Sequence, residues 1–199
     1  MKTTKILTAL GLLTAGAALM AAVLPQDTGA KKAAVKYQEA DGFQNASAKL
    51  LTPFHKELKN FAGTWDATVA MQGAEPSRGV ETNTLVCNGL WLLTQFKGEF
   101  MGSRFQGHGI MGYDPQKKKY VSVWVDSMSS SLTVGEGTID PETKTLTTVM
   151  DGPGPDGGIV QQKTVETWKD KNHRTVVFSM PIADSKDVTS MTIEYERRK

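Results

Sequence analysis

The sequence from residue 63 onward consists of short runs that suit β-strands, and none of them shows the length and periodicity of a helix. Each run is rich in β-branched and aromatic residues, and turn-forming residues separate it from the next. Regularly spaced strands without intervening helices predict an antiparallel up-and-down sheet, and closure into a barrel would remove its two exposed edges. The sequence therefore predicts an all-β barrel of about ten strands, over residues 63–72, 78–87, 91–100, 104–113, 119–126, 131–139, 145–151, 160–169, 174–181 and 188–197.

One hairpin is especially clear, between Phe105 and Ser127. Its two arms flank a polar turn that opens with Asp114 and Pro115. Proline presets φ for a turn, and an aspartate side chain can accept hydrogen bonds from the backbone amides that follow it. This hairpin predicts the pairing of the fourth strand with the fifth.

A short helix is predicted just before the first strand. Thr52 provides an N-cap and Pro53 the first helical position. Phe54, Leu58 and Phe61 follow at positions i, i+4 and i+7, which places them on one face. We expect this helix to close the base of the barrel.

The first 30 residues resemble an export segment. Two lysines precede an apolar run over residues 6–24, and small residues follow, with a possible cleavage site after Ala30. The alternative is an uncleaved membrane anchor, because a run of this length could just span a bilayer. In either case we expect the domain, residues 51–199, to lie in the periplasm or outside the cell, preceded by a polar tether over residues 31–50.

The net charge and the cysteine content exclude some classes of protein. The formal net charge is only +2, which is not the balance of a nucleic-acid-binding protein. Cys87 is the only cysteine, so a disulfide within the chain is excluded, and we expect Cys87 to be a small buried hydrophobe. The stability of the domain must therefore come from its core, and the sequence does not predict the oligomeric state.

Alternation along the strands predicts which side chains face inward. Trp65 and Tyr195 belong to the inward sets of the first and last strands. In the run 160–169, the lysines require solvent, which places Glu166 and Trp168 inside. The run 119–126 is ambiguous, because its valines compete for the interior with a second set, Tyr120, Ser122, Trp124 and Asp126.

The segment around Gly63 and Trp65, with a helix before it, resembles the Gly-x-Trp opening of lipocalins and the wider calycin group. The resemblance implies that Arg197, near the end of the last strand, lays its guanidinium over the Trp65 ring. More specifically, residues 53–198 resemble the bacterial DUF1579 family, a lipocalin-like family of unknown function. The matching segments are Pro53 with His55 and Leu58, Gly63-Thr64-Trp65, Asn88-Gly89-Leu90-Trp91, Gly112-Tyr113-Asp114-Pro115, Trp124-Val125-Asp126-Ser127, Gly135-Glu136-Gly137 and Tyr195-Glu196-Arg197.

The resemblance implies a fold and no established chemistry, so the function has to come from the site. Aromatic walls with a few polar groups suit a small-molecule pocket. We therefore predict an exported binding protein that holds a small, partly apolar or amphipathic ligand in the barrel. The predicted ligand-binding residues are Trp124, Asp126, Glu166, Trp168, Tyr195, Met111 and Met191, with Gly63, Trp65 and Arg197 as structural residues.

Two other readings stay open. Asp126 and Glu166 could act as acid and base in an enzyme of the cell envelope, or a filled barrel could serve as an interaction module. For the two carboxylates a structural role competes with the acid/base role, since each could satisfy backbone amides or pair with an arginine such as Arg104 or Arg197. The sequence shows no catalytic signature, and its three histidines are scattered without metal-ligand spacing, so no metal or cofactor is predicted. A haem-binding protein with this type of barrel uses one axial histidine, a part that His108 or His173 could play.

Overall fold

The computed structural model describes residues 49–154, 158–180 and 188–199. The predicted export segment and most of the predicted tether lie outside these residues. Within the described part of the chain, no helix is long and apolar enough to cross a membrane.

Ten strands account for most of the described chain: β1 (Gly63–Met71), β2 (Ser77–Val86), β3 (Trp91–Phe100), β4 (Ser103–Asp114), β5 (Lys119–Asp126), β6 (Thr133–Asp140), β7 (Thr145–Pro153), β8 (Ile159–Asp170), β9 (His173–Met180) and β10 (Val188–Arg197). Each strand pairs antiparallel with its neighbours in the chain, and β10 returns to pair with β1. The predicted fold class, an up-and-down antiparallel barrel, is confirmed. No predicted strand boundary differs from the observed one by more than two residues.

The predicted helix is present but is shorter than its apolar pattern. An α-helix, α1 (Pro53–Glu57), continues into a single 3₁₀ turn over Leu58–Asn60. Its N-terminus is fixed by a reciprocal contact, because the backbone N–H of Thr52 donates to Nδ1 of His55 at 3.1 Å and the Thr52 hydroxyl lies 2.9 Å from the same nitrogen. This exchange satisfies groups that a helix start leaves without partners.

The α1 segment covers one end of the barrel. The Phe54 ring stacks on Tyr113 with centroids 4.4 Å apart, and the Tyr120 hydroxyl donates to the Phe54 carbonyl at 2.9 Å. We call this end the base, and the opposite end, where the β1–β2 and β3–β4 turns lie, the mouth. The base is therefore closed by contacts between α1 and the residues that flank the β4–β5 turn.

The ambiguous fifth strand presents its aromatic and polar set to the interior. Tyr120 is only 3% exposed and Trp124 packs against the core, whereas Val125 is 45% exposed. The valines of β5 therefore face outward, and the interior of the barrel is aromatic and partly polar.

The interior contains two apolar clusters. The base cluster consists of Leu58, Phe61, Leu92, Tyr113, Tyr120 and Leu146. The upper cluster consists of Trp65, Ala67, Val69, Phe96, Val176, Ile193 and Tyr195. Burial of these large side chains is the main source of stability for a domain without disulfides.

The prediction for Cys87 is wrong, because its side chain is exposed. Cys87 begins the 3₁₀ turn that joins β2 to β3 and has a φ of 49°. The strand pattern ends one residue earlier, so the chain turns away from the barrel wall before Cys87 can point inward.

Candidate functional site

Four of the predicted ligand-binding residues are divided between the upper cluster and the base cluster. Trp124 and Met191 pack against the upper cluster, whereas Met111 and Trp168 pack against the base cluster. The remaining three are bonded to other side chains: Asp126 to Trp124, and Glu166 and Tyr195 to a buried charge cluster described next. The predicted set therefore does not form a single cavity wall.

The buried side chain of Arg174 lies between the upper cluster and the base cluster. Arg174 on β9 is 3% exposed and donates from Nη1 to Oε1 of Glu166 and from Nη2 to Oε1 of Glu81. Glu81 also accepts a hydrogen bond from the Asn83 amide at 2.6 Å. A buried charge is tolerated only when it is paired and hydrogen-bonded, and these contacts provide both.

Aromatic rings complete the surroundings of this guanidinium. Its central carbon lies 3.8 Å from the centroid of Tyr195 and 4.6 Å from that of Trp65, which are cation–π distances. The Tyr195 hydroxyl is hydrogen-bonded to Glu81, and burial together with that carboxylate raises the tyrosine pKa. We call the group of Arg174, Glu81, Glu166 and Tyr195 the ion layer.

The ion layer holds two carboxylates and one guanidinium. Burial raises the pKa of Glu166, the neighbouring Glu81 raises it further, and Arg174 opposes the shift. A raised carboxylate pKa means that the fold favours the protonated form. If Glu166 takes up a proton, the ion layer holds one negative carboxylate and one positive guanidinium, so its net charge is zero.

Two buried donors beside the layer have no hydrogen-bond partner in the described part of the chain. They are Nε of Arg174 and Nε1 of Trp168, whose residues are directly paired across β8 and β9. The Trp168 ring packs edge-on against Phe61, with centroids 4.6 Å apart. Trp168 therefore contacts the base helix segment on one side and adjoins the ion layer on the other.

Trp65 and Arg197 hold the base segment onto the barrel. The Arg197 guanidinium lies 4.0 Å from the Trp65 ring centroid, donates to the carbonyl of Ala62 and donates at 2.8 Å to that of Asn60. Trp65 donates from its indole nitrogen to the carbonyl between them, that of Phe61, at 2.8 Å. The two side chains therefore satisfy carbonyls that the end of a helix leaves without partners.

Gly63 is required at this junction. Its φ is +116°, and a Cβ at this position would lie 2.7 Å from Nη1 of Arg197. Both the backbone conformation and the close approach of the guanidinium exclude a side chain.

Toward the mouth, Trp124 and Asp126 are held by hydrogen bonds and by contact with glycine backbone. The indole nitrogen of Trp124 donates to Oδ2 of Asp126 at 3.1 Å, and Oδ1 of Asp126 accepts from the backbone N–H of Met128 at 2.8 Å. The Trp124 ring lies against the backbone of Gly107 and Gly109, in space that a Cβ would need. The indole is therefore held flat against the barrel wall.

A cavity of about 210 Å³ opens at the mouth, beside the β1–β2 and β3–β4 turns. Its walls are mainly apolar and come from β1, the start of β2, β3 and the two turns that define the mouth. The lining residues are Val69, Met71, Ala74, Glu75, Ser77, Phe100, Met101 and Gly102. None of them was among the predicted ligand-binding residues, because strand alternation does not show where the barrel interior is left unfilled.

The histidines do not converge on a site. His55 is 4% exposed at the base, where burial lowers its pKa, whereas His108 and His173 are both exposed. Nδ1 of His173 is 2.8 Å from Oδ2 of Asp170. Within residues 49–154, 158–180 and 188–199, no group of three potential metal ligands occurs. Neither His108 nor His173 faces the barrel interior.

Comparison with solved structures finds similar proteins at low sequence identity, of which the first shares the fold. The crystal structure of Rv2717c from M. tuberculosis is 10% identical with a TM-score of 0.52, over 75% of this chain and 99% of that chain. The S-type phycobiliprotein lyase CPES from Guillardia theta is 11% identical with a TM-score of 0.48, over 79% of this chain and 97% of that chain. Likeness at this level of identity concerns the fold alone.

Comparison at the sequence level identifies the family. No curated protein matches the chain. A family model described as "Protein of unknown function (DUF1579)" matches residues 51–197, which span the α1 segment and all ten strands. The chain therefore belongs to the DUF1579 family, in agreement with the resemblance carried by its sequence motifs.

Proposed function

We propose that the barrel binds a small, partly apolar molecule at its mouth. The observation that carries this proposal is the cavity of about 210 Å³, with apolar walls, at the end of the barrel that α1 leaves open. Concave apolar sites with a few polar groups are the usual places for small ligands. The base is filled instead, because its cluster is packed against α1.

The cavity volume limits the size of the ligand. An apolar cavity of about 150 Å³ holds benzene, so about 210 Å³ suits a molecule slightly larger than one aromatic ring, or one end of a longer chain. Met71, Met101 and Phe100 line the walls. Thioether side chains adapt to irregular shapes and contact aromatic rings favourably.

Polar groups at the cavity suggest where the polar end of the ligand would lie. Among the described residues that line the cavity, Glu75 is the charged one, and it sits in the exposed β1–β2 turn. The hydroxyl of Ser77 already donates to the Glu99 carbonyl at 2.8 Å. The ligand would therefore place its apolar part inward and its polar part toward Glu75 and solvent.

Four of the predicted ligand-binding residues serve the fold in this proposal. Glu166 and Tyr195 are bonded within the ion layer, and Met111 and Trp168 pack in the base. Trp124, Asp126 and Met191 do not line the cavity either, so no contact with the ligand is proposed for them.

The acid/base reading gains no support from the geometry. Each oxygen of Asp126 accepts a hydrogen bond from the protein, and Glu166 is paired with Arg174. A general base has to be within reach of the proton that it removes, and the cavity walls do not include either carboxylate.

Export is part of the proposal and rests on the sequence alone. The apolar run and the small residues that end at Ala30 support cleavage after that residue, which would release the domain into the periplasm or the medium. N-terminal sequencing of the protein from its native source tests this step. A chain that still begins at Met1 would contradict cleavage and support an anchor.

A titration with indole tests ligand binding. Indole is slightly larger than benzene, and saturation-transfer NMR would show transfer from the protein to indole. Met71→Trp should reduce the affinity at least tenfold, because the larger side chain fills the cavity. Met128→Trp is the matched control, since Met128 is exposed in the β5–β6 turn and does not line the cavity. The proposal would be overturned if no saturation were transferred from the wild-type protein to indole, or if both variants lost affinity for indole equally.

A further inference from the structure

The imidazole of His55 is bonded to the residue that begins the base helix. Its Nδ1 accepts a hydrogen bond from the backbone N–H of Thr52 at 3.1 Å, and the Thr52 hydroxyl lies 2.9 Å from the same nitrogen. A backbone N–H can only donate, so this nitrogen carries no proton. The bond therefore exists only while His55 is neutral. We call the contact between Thr52 and His55 the latch.

The surroundings of His55 also suit a neutral ring. The side chain is 4% exposed, and the imidazole packs edge-on against Tyr113 with centroids 5.7 Å apart. A buried charge is costly unless it is paired and hydrogen-bonded. Burial accordingly lowers the pKa of His55, and the backbone of Tyr113 opposes this shift.

Within the described part of the chain, no carboxylate bonds to this imidazole. The nearby carboxylates are those of Glu57 on α1 and Asp114 at the end of β4, and each accepts hydrogen bonds from its own neighbours in the chain. Lys56 adds a like charge on the exposed side of α1, and Tyr120 on β5 stays neutral because burial raises its pKa. A proton taken up by His55 would therefore create a buried positive charge without a counter-ion.

The opposite end of the base segment is attached by an arginine. Arg197 donates to the carbonyl of Ala62 and, at 2.8 Å, to that of Asn60. A guanidinium keeps its charge at every pH at which the protein is folded. The segment thus has one attachment that depends on a neutral histidine and one that does not respond to pH.

We propose that α1 is an acid-sensitive lid on the base of the barrel, which opens at the latch when His55 takes up a proton and stays attached at Arg197. A protonated Nδ1 still donates to the Thr52 hydroxyl, but the Thr52 N–H loses its acceptor and the new charge stays buried. Release of α1 brings both groups into water. It also separates Phe54 from Tyr113, whose rings stack with centroids 4.4 Å apart, and so gives the barrel an opening opposite to the mouth.

The pKa difference between the closed and the open lid sets the direction of the effect. The pKa of His55 is lower in the closed state than the ordinary value of 6.5 that it has in water. Closure is therefore fully stabilised above about pH 6.5 and weakens as the pH falls through that value toward the lowered pKa. From pH 7.5 to pH 5, the opening equilibrium rises by at most about 30-fold. Glu166 acts in the opposite sense, because its raised pKa stabilises the whole barrel as the pH falls.

Amide hydrogen exchange of the full-length wild type, followed by NMR at pH 7.5 and pH 5, tests the proposal. Leu58 is fully buried and ends the α1 helix, so its amide reports whether the lid is closed. After correction for the intrinsic rate at each pH, its protection should fall at least threefold and at most about 30-fold at pH 5. The amides of β10 should keep their protection, because the ring of strands stays closed. Unchanged protection of Leu58, or an equal loss in β10, would overturn the proposal.

His55→Gln separates the latch from other groups that titrate in this range. A glutamine three residues after an N-cap threonine accepts from the same backbone N–H and does not titrate, so Leu58 should keep its protection at pH 5. His173→Gln is the matched control, because His173 is exposed at the start of β9 and contacts Asp170. This control should respond to acid as the wild type does. An acid response that persists in His55→Gln, or one that disappears in His173→Gln, would show that His55 does not control the lid.

Discussion

The two ends of the barrel differ in what their inward side chains contact. At the base and in the ion layer next to it, Trp65, Arg197 and Arg174 bring many polar groups into contact with one another and with aromatic rings. At the mouth, Trp124 lies flat against glycines and the nearby cavity keeps its apolar walls uncovered. One end is specified by bonds within the protein, and the other leaves surface that a ligand can cover.

This contrast explains why buried charge alone is a poor guide to a binding site. Glu166 is inward, ionisable and has a raised pKa, which are properties of many functional carboxylates. Its partner, however, is Arg174 of the same chain. The side chains that face unfilled space are mainly apolar, and they line the cavity at the mouth.

The largest effect is expected for Arg174→Met. The change leaves Glu81 and Glu166 buried without their common partner, and loss of one member of a buried ion pair costs about 3–5 kcal/mol. Urea unfolding measures the cost. Arg198→Met is the matched control, because its ion pair with Asp66 is exposed and screened by solvent, so its loss should change the stability little. Equal losses in the two variants would mean that the buried ion pairs of the ion layer contribute no more to stability than an exposed pair.

Trp65→Ala should cost a similar or slightly smaller amount, about 3–5 kcal/mol, as is usual for a fully buried large aromatic. The change also removes the hydrogen bond to the Phe61 carbonyl and the ring beneath two guanidinium groups. Urea unfolding of this variant is compared with that of Trp91→Ala on the outer surface. A loss below about 1 kcal/mol for Trp65→Ala would contradict the assigned closure of the barrel.

Glu166→Gln should change the pH dependence of stability. Because the folded pKa of Glu166 is raised, its contribution is fully present below the unfolded value near 4.5 and is lost as pH rises through the folded pKa. The wild type should therefore lose stability relative to the variant as the pH rises above about 4.5, by about 1.4 kcal/mol for each unit of pKa shift. Urea midpoints at several pH values measure this difference. A constant difference at every pH would mean that the pKa of Glu166 is the same in the folded and unfolded states.

The smallest loss of stability is expected for Trp124→Leu at the mouth, about 1 kcal/mol, because the ring is only partly buried. Removal of the indole also frees Asp126 from one hydrogen bond. Indole affinity should stay close to the wild-type value in this variant and in Glu166→Gln, because neither side chain lines the cavity. A large loss of affinity in Glu166→Gln would place the binding site in the ion layer and not at the mouth.

The fold could be predicted because local patterns specify it. Strand lengths, turn residues and the Thr52-Pro53 start all agree with the structure. Alternation also predicts the inward positions of Glu166 and Trp168. Patterns of this kind are local, so they predict which way a side chain faces and not what it meets.

The ion layer was missed for this reason. Arg174 shares a face with Val176 and Phe178, yet an arginine in a strand is normally assigned to solvent. Its partner Glu81 is 93 residues away in sequence, and only barrel closure brings the two together. The cavity was missed for a related reason, since its lining comes from turns as well as strands.

The pairing of β1 with β10 has a consequence for how the chain reaches its fold. The hydrogen bond from Arg197 to the Asn60 carbonyl joins residues 137 positions apart. Until the last strand is available, β1 has one unpaired edge and the base segment lacks its guanidinium partner. Contacts of such long sequence separation are formed late and slowly, because loop closure must precede them. The ring of strands therefore cannot close before β10 has been synthesised, and the same strand supplies the arginine that attaches the first helix.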